Sequence, residues 1–124
     1  MKKSIAFGTL ILAILSFQVA PALANKSATS IEGPISVAKG TEVTLRVTVT
    51  HSANSPSHYT EWLQVTANKK EIARWDYSKD KPPEAAEFTI EIKIKVMEDT
   101  EIIVEASCNR HGSRGPTAHK ITVK

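Results

Sequence analysis

One cysteine in 124 residues excludes a disulfide within the chain. Small exported domains usually use cysteines in pairs as staples, so the lone Cys108 needs another explanation if this chain is exported. An unpaired thiol in an oxidising compartment is a hazard unless it is buried or bound to a metal. Both explanations stand open for Cys108 on composition alone. Basic runs are missing too. Over residues 25–124, 14 Lys and Arg oppose 13 Asp and Glu, a net charge of +1. Such a balance argues against tracking nucleic acid or an anionic membrane. There is no internal repeat, no low-complexity linker and no apolar stripe at helical spacing. No motif gathers Ser, His and Asp into a nucleophilic triad.

What the chain does have begins with a leader. Lys2 and Lys3 open it, residues 5–19 are almost wholly apolar, and Ala22-Leu23-Ala24 has the small-x-small form of a cleavage site. A membrane-spanning helix wants about 20 apolar residues, and Pro21 followed by a polar stretch suits cleavage better. Residues 1–24 are therefore expected to be a secretory signal peptide and residues 25–124 one exported domain, most simply periplasmic. About a hundred residues suffice for one core and not for two.

That remainder alternates with a period of two. Val43, Leu45, Val47 and Val49 interleave with Thr44, Arg46, Thr48 and Thr50. Phe88, Ile90, Ile92, Ile94 and Val96 interleave with Thr89, Glu91, Lys93 and Lys95. One face of each segment is apolar and the other wet, as a strand on a core requires. Shorter strands are expected over 35–38, 59–66, 71–77, 101–108 and 119–123. Pro34, Gly40, Asn68, Pro82-Pro83 and Gly115-Pro116 punctuate them. The predicted fold is all-β, an immunoglobulin-like antiparallel β-sandwich of about seven strands.

All four histidines fall where strands give way to loops. His51 and His58 bracket a polar, turn-rich segment, His111 follows Cys108 by three residues, and His119 lies beyond a second turn. Loops cluster at the ends of a sandwich, so these residues can converge. A thiolate with neutral imidazoles makes a site for a transition metal such as iron, copper or zinc. Each histidine alone reads as an ordinary loop residue, and Cys108 alone as a small buried hydrophobe. The joint pattern favours a metal.

Three segments carry a family likeness: Ser57-His58-Tyr59-Thr60-Glu61-Trp62, Pro83-Glu84-Ala85-Ala86-Glu87-Phe88, and Cys108-Asn109-Arg110-His111-Gly112. In these the chain resembles the superoxide reductase family, met also as neelaredoxin and as the iron-binding domain of desulfoferrodoxin. The last segment matches the family's Cys-Asn-x-His-Gly and is the most specific. The resemblance implies an immunoglobulin-like sandwich holding one non-haem iron, with four equatorial histidines and an axial cysteine. It implies reduction of superoxide to hydrogen peroxide at the open position, fed by a small electron-donor protein. Carried over, it makes His51, His58 and His111 equatorial ligands and Cys108 the axial one.

Two departures follow from the same likeness. The family's Glu-Lys-His segment aligns with Asn25-Lys26-Ser27, so its fourth histidine is absent, although Lys26 aligns with the family's lysine. The loop from His51 to His58 is one residue longer than usual. His119 would restore the count of four if the turn over residues 113–118 carried it to the site, which its ring lying within about 6 Å of the Cys108 sulfur would show. Two rival functions remain. One is a metal-binding or sulfur-oxidation carrier sandwich without catalysis. The other is a copper electron-transfer protein, whose site would need a weak axial methionine, whereas Met1 and Met97 both precede Cys108.

Overall fold

The computed structural model describes residues 25–124, and the expected signal peptide lies outside the described residues. Among these residues the chain forms eight strands: β1 (Ala28–Glu32), β2 (Ser36–Val37), β3 (Thr41–Thr50), β4 (Thr60–Ala67), β5 (Lys70–Asp76), β6 (Phe88–Val96), β7 (Thr100–Cys108) and β8 (Thr117–Val123). They make two sheets, one in the order β1-β3-β6 and one in the order β2-β8-β7-β4-β5. The expected all-β sandwich is what forms. The tally of about seven strands falls one short, because β1 was not foreseen. Its sequence, Ala-Thr-Ser-Ile-Glu, is too polar to show a period, and it sits at the edge of the smaller sheet, where only one neighbour supports it. The sheets are also not wholly antiparallel, since the two-residue β2 pairs with β8 in parallel.

The inward rows follow the alternation. Val43, Leu45, Val47 and Val49 of β3 are buried, as are Ile102, Val104 and Ala106 of β7 on the facing sheet. Leu63 and Val65 of β4, Ile121 of β8, and Phe88, Ile92 and Val96 of β6 complete this core. Each Val, Leu, Ile or Phe among these contributes about 1.5–3 kcal/mol when removed from water. Ile90 and Ile94 share a row with Ile92 yet stay half-buried, because β6 is itself an edge strand.

Two of these rows run past the core into one end of the sandwich. The β7 row 102, 104, 106 ends on Cys108, and the β3 row 43, 45, 47, 49 continues by the same parity to His51. Strand β4 reaches that end only through a bulge. Thr60 lies opposite Cys108 but Trp62 lies opposite Ser107, so Glu61 is an extra residue in the ladder. A bulge re-aims the side chains beyond it. Here it lets Thr60 and Leu63 both face inward, three positions apart. Without it, the parity of Leu63 and Val65 would turn Thr60 and His58 outward.

Candidate metal centre

Strand ends position the candidate ligands. His51 follows the last residue of β3, His58 stands two residues before β4, and Cys108 closes β7. One ligand atom from each of His51, His58 and Cys108 can be chosen so that all three lie within 4.8 Å of one another. The His51 and His58 rings meet edge to face with centroids 4.7 Å apart, and the His111 ring packs against His58 at 5.1 Å. Cys108 and His51 are only 3% and 6% exposed, so the trio lies at the mouth of the core; His111 is exposed and marks the open side.

The turn after Cys108 is built for this placement. Cys108 N–H donates to the Gly112 carbonyl at 2.9 Å and Gly112 N–H donates back to the Cys108 carbonyl at 3.1 Å, closing a loop over residues 109–111. Gly112 adopts φ of +80°, the left-handed region that a side chain would strain. The Arg110 backbone N–H points at the Cys108 sulfur from 3.4 Å.

Asn109 ties this turn to the histidine loop. Its Oδ1 accepts the Tyr59 backbone N–H at 3.0 Å, its Nδ2 donates to the Ser57 carbonyl at 3.2 Å, and its own N–H donates to the Tyr59 carbonyl at 3.0 Å. The two flanks of His58 are thus both fastened to the residue beside Cys108. In the sequence, Asn109 stands out only as part of the segment Cys108-Asn109-Arg110-His111-Gly112. An Asn directly after a strand, with polar turn residues on both sides, is the signal that its side chain will bond backbone.

Ring nitrogens test whether a metal fits. His51 Nδ1 and His58 Nε2 are buried without a hydrogen-bond partner. A buried polar atom left unpaired costs about 1–3 kcal/mol, and such groups are rare in native proteins. The His58 pKa is lowered from its ordinary value, first by burial, then by the neighbouring His51 and His111 and the Arg110 guanidinium, against an opposing pull from the Asn25 backbone. That shift favours the neutral ring, the form a metal ligand takes. Unpaired buried nitrogens, a neutral imidazole and a sulfur beside a backbone donor make a donor set that suits a transition metal.

His119 is not part of this cluster. It lies opposite Ile102, six positions along β7 from Cys108, which is about 20 Å at the rise of a strand. Its Nε2 bonds the Pro34 carbonyl at 2.9 Å. The idea that it completes the site is thereby overturned: β8 begins at Thr117, and its register with β7 fixes His119 toward the other end. Met97 lies just past β6, whose last residue Val96 pairs with Thr41 at the start of β3, so it too is at the end away from His51. Among the described residues, the copper reading therefore finds no axial methionine at this site.

Comparison with known proteins agrees with this geometry. The protein-family model for desulfoferrodoxin matches residues 21–114, a span that includes the histidine loop and the turn after Cys108. The chain belongs to the desulfoferrodoxin family. Among solved structures it is similar to the superoxide reductase (neelaredoxin) of Ignicoccus hospitalis, at 19% identity and a TM-score of 0.69, covering 86% of this chain and 89% of that one. It is also similar to a proposed superoxide reductase of Thermotoga maritima, at 25% identity and a TM-score of 0.58, covering 78% of this chain and 86% of that one. No curated protein sequence matches the chain. The desulfoferrodoxin match ends before β8, the strand that bears His119.

Proposed function

We propose that this chain is an exported mononuclear non-haem iron protein that reduces superoxide to hydrogen peroxide. The observation that carries the reading is the convergence of His51, His58 and Cys108 within 4.8 Å, with two buried ring nitrogens that have no other partner. His51, His58 and His111 would hold the ion through nitrogen and Cys108 through sulfur. Iron held there supplies one electron to superoxide, and two protons complete hydrogen peroxide. A small electron-donor protein returns the electron.

The remaining residues shape access. Burial of His51 and Cys108 keeps water from the inner side, and the exposed His111 leaves the outer side open to a small anion. Arg110 is exposed, and its charge is already felt at His58. A cation at the rim raises the local concentration of an anionic substrate. The apolar leader and its cleavage site support export to the periplasm, where residues 25–124 act as the mature domain.

One observation favours a second reading, a metal-binding sandwich without turnover. Ser27 stands where the family's first histidine aligns, and its hydroxyl is engaged with Thr60. A centre with fewer nitrogens would bind iron more weakly. The test of both is to express the exported protein, measure its metal and follow superoxide consumption. One iron per chain with turnover is expected, and Cys108→Ala should lose the iron. Iron without turnover selects the second reading, and full retention of iron by Cys108→Ala refutes the site.

A further inference from the structure

Among the described residues four strands close the two sheets at their sides, and three of them carry features that discourage pairing with another chain. β1 has five residues of polar sequence and β2 has two. β5 is bulged: Val65 lies opposite Ala73 and Thr66 opposite Glu71, which leaves Ile72 as an extra residue in the ladder. β6 has none of these features. It pairs with β3 over all nine of its residues without a shift of register, and neither proline nor glycine interrupts it. Its other side presents a straight row of backbone N–H and C=O groups with no strand beside it. Natural edges are usually short, bulged or covered, so a long, regular one needs a reason.

The same flank leaves apolar surface open. β1 lies over β7 and β8, where the Thr29 hydroxyl reaches the Val104 carbonyl and the Thr117 hydroxyl. β6 therefore lies toward the β5 side of the sandwich, where the Tyr77 and Phe88 rings meet edge to face with centroids 5.7 Å apart. Ile90 and Ile94 of β6, with Ala73, Trp75 and Tyr77 from the facing sheet, pack on the core and yet stay only half-buried.

The sequence of β6 states what fits there. Laid antiparallel on its own copy about a two-fold axis at Ile92, the strand brings Phe88 opposite Val96, Ile90 opposite Ile94 and Glu91 opposite Lys93, each pair occurring twice. Directly opposite residues share a face in an antiparallel pair, so apolar row meets apolar row and wet row meets wet row. Glu91 and Lys93 are both exposed, and within its own chain Lys93 faces only the neutral Thr44. Sliding the copy by two residues sets Glu91 against Glu91 or Lys93 against Lys93 and shortens the ladder. Sliding it by one turns the apolar row to the wet face. The register of greatest overlap is thus also the one in which the charges agree.

We infer that β6 is a homodimer interface, on which a second copy of this chain adds its own β6 antiparallel. The two smaller sheets become one, in the order β1-β3-β6-β6-β3-β1. Such a contact is the same patch on both subunits and closes on itself. Phe88 pairs with Val49, next but one to His51, so the two candidate metal centres lie at opposite ends of the shared ladder, away from the axis. The inference does not rest on the iron reading.

The protein, expressed from the full chain and purified, is followed by sedimentation from micromolar to millimolar concentration, and a monomer–dimer equilibrium is expected. A monomer throughout overturns the inference. Lys93→Glu sets Glu against Glu91 at both positions, and Glu91→Lys sets Lys against Lys93. Each variant alone should dimerise on the order of tenfold or more weakly. An equimolar mixture of the two should recover the dimer, because every cross pair in it is again Glu with Lys. Undiminished dimers in both variants put the interface elsewhere and overturn the assignment. Glu91 also faces Arg46 within its own chain, so melts of both variants check that they fold. The unsubstituted protein gives a second readout should either fail: β6 amides are expected to exchange at least several-fold more slowly at concentrations where the dimer forms. A dimer whose β6 amides exchange as fast as the monomer's overturns the inference as well.

Discussion

Histidines stand toward both ends of β7, and the two ends treat them differently. Near Ile102, His119 projects from a regular ladder and gives its Nε2 to the Pro34 carbonyl at 2.9 Å. Around Cys108 the ladder gives way to a bulge at Glu61, a left-handed glycine turn and two loops, and His51 and His58 are left with buried, unpaired nitrogens. A histidine that serves the fold finds a partner in the fold. At the other end the chain spends its irregular backbone on bringing rings and sulfur together, and leaves one nitrogen of each of these two rings without a partner in the polypeptide.

The largest effect short of deleting a ligand should come from loosening that irregular end. Asn109→Ala removes the side-chain bonds to the Ser57 carbonyl and the Tyr59 N–H that hold His58 from both flanks. Outer-shell partners of metal ligands are typically worth about 10–100-fold in affinity. The variant is expected to bind iron weaker by that order and to shift the absorption of the bound metal. Its metal-free form should lose about 1–3 kcal/mol, the cost of unpaired polar groups. Chelator competition and denaturant melts check the two separately. An unchanged iron affinity alongside a lowered melt would reduce Asn109 to a turn residue.

A smaller effect concerns acid. Burial, with the charges of His51, His111 and Arg110, lowers the His58 pKa in the folded protein, while the unfolded chain keeps a value of about 6.5. Below that pH the unfolded chain takes up a proton that the folded chain resists. Stability of the metal-free protein therefore rises with pH through this window and falls as pH drops below about 6.5. His58→Gln should flatten that slope. Denaturation midpoints across about pH 5 to 8 measure it, and parallel curves for the two proteins would show that the ring is not held neutral by its surroundings.

How far this contrast could be read in advance depended on the range of the interactions involved. The inward rows of β3 and β6 were legible because each residue's burial follows from its parity and its immediate neighbours. Cys108 with His111 was legible as a local motif closed by Gly112. The polar edge strand β1 was not, since its support comes from Thr29 reaching Thr117 and from pairing with β3, both distant in sequence. Nor was the bulge at Glu61, which only pairing with β7 reveals, or the approach of Asn25 to His51 across the intervening β1 and β3. His119 could be imagined at the site only while the register of β8 was unknown.

The smallest effect belongs to the regular end and is the sharpest control. His119→Ala removes one hydrogen bond, to the Pro34 carbonyl, from a strand otherwise held by its ladder and by the bonds of Thr117 to Thr29 and of Val123 to Asp99. A single bond of this kind is worth about 0.5–1.5 kcal/mol. A melting shift of that order is expected, with iron affinity and absorption unchanged, because about 20 Å of regular strand separates this ring from the Cys108 sulfur. Should the variant instead release iron, the two ends would be coupled. The register that sets His119 opposite Ile102 would then be wrong, for no other route in the fold brings that imidazole to the metal.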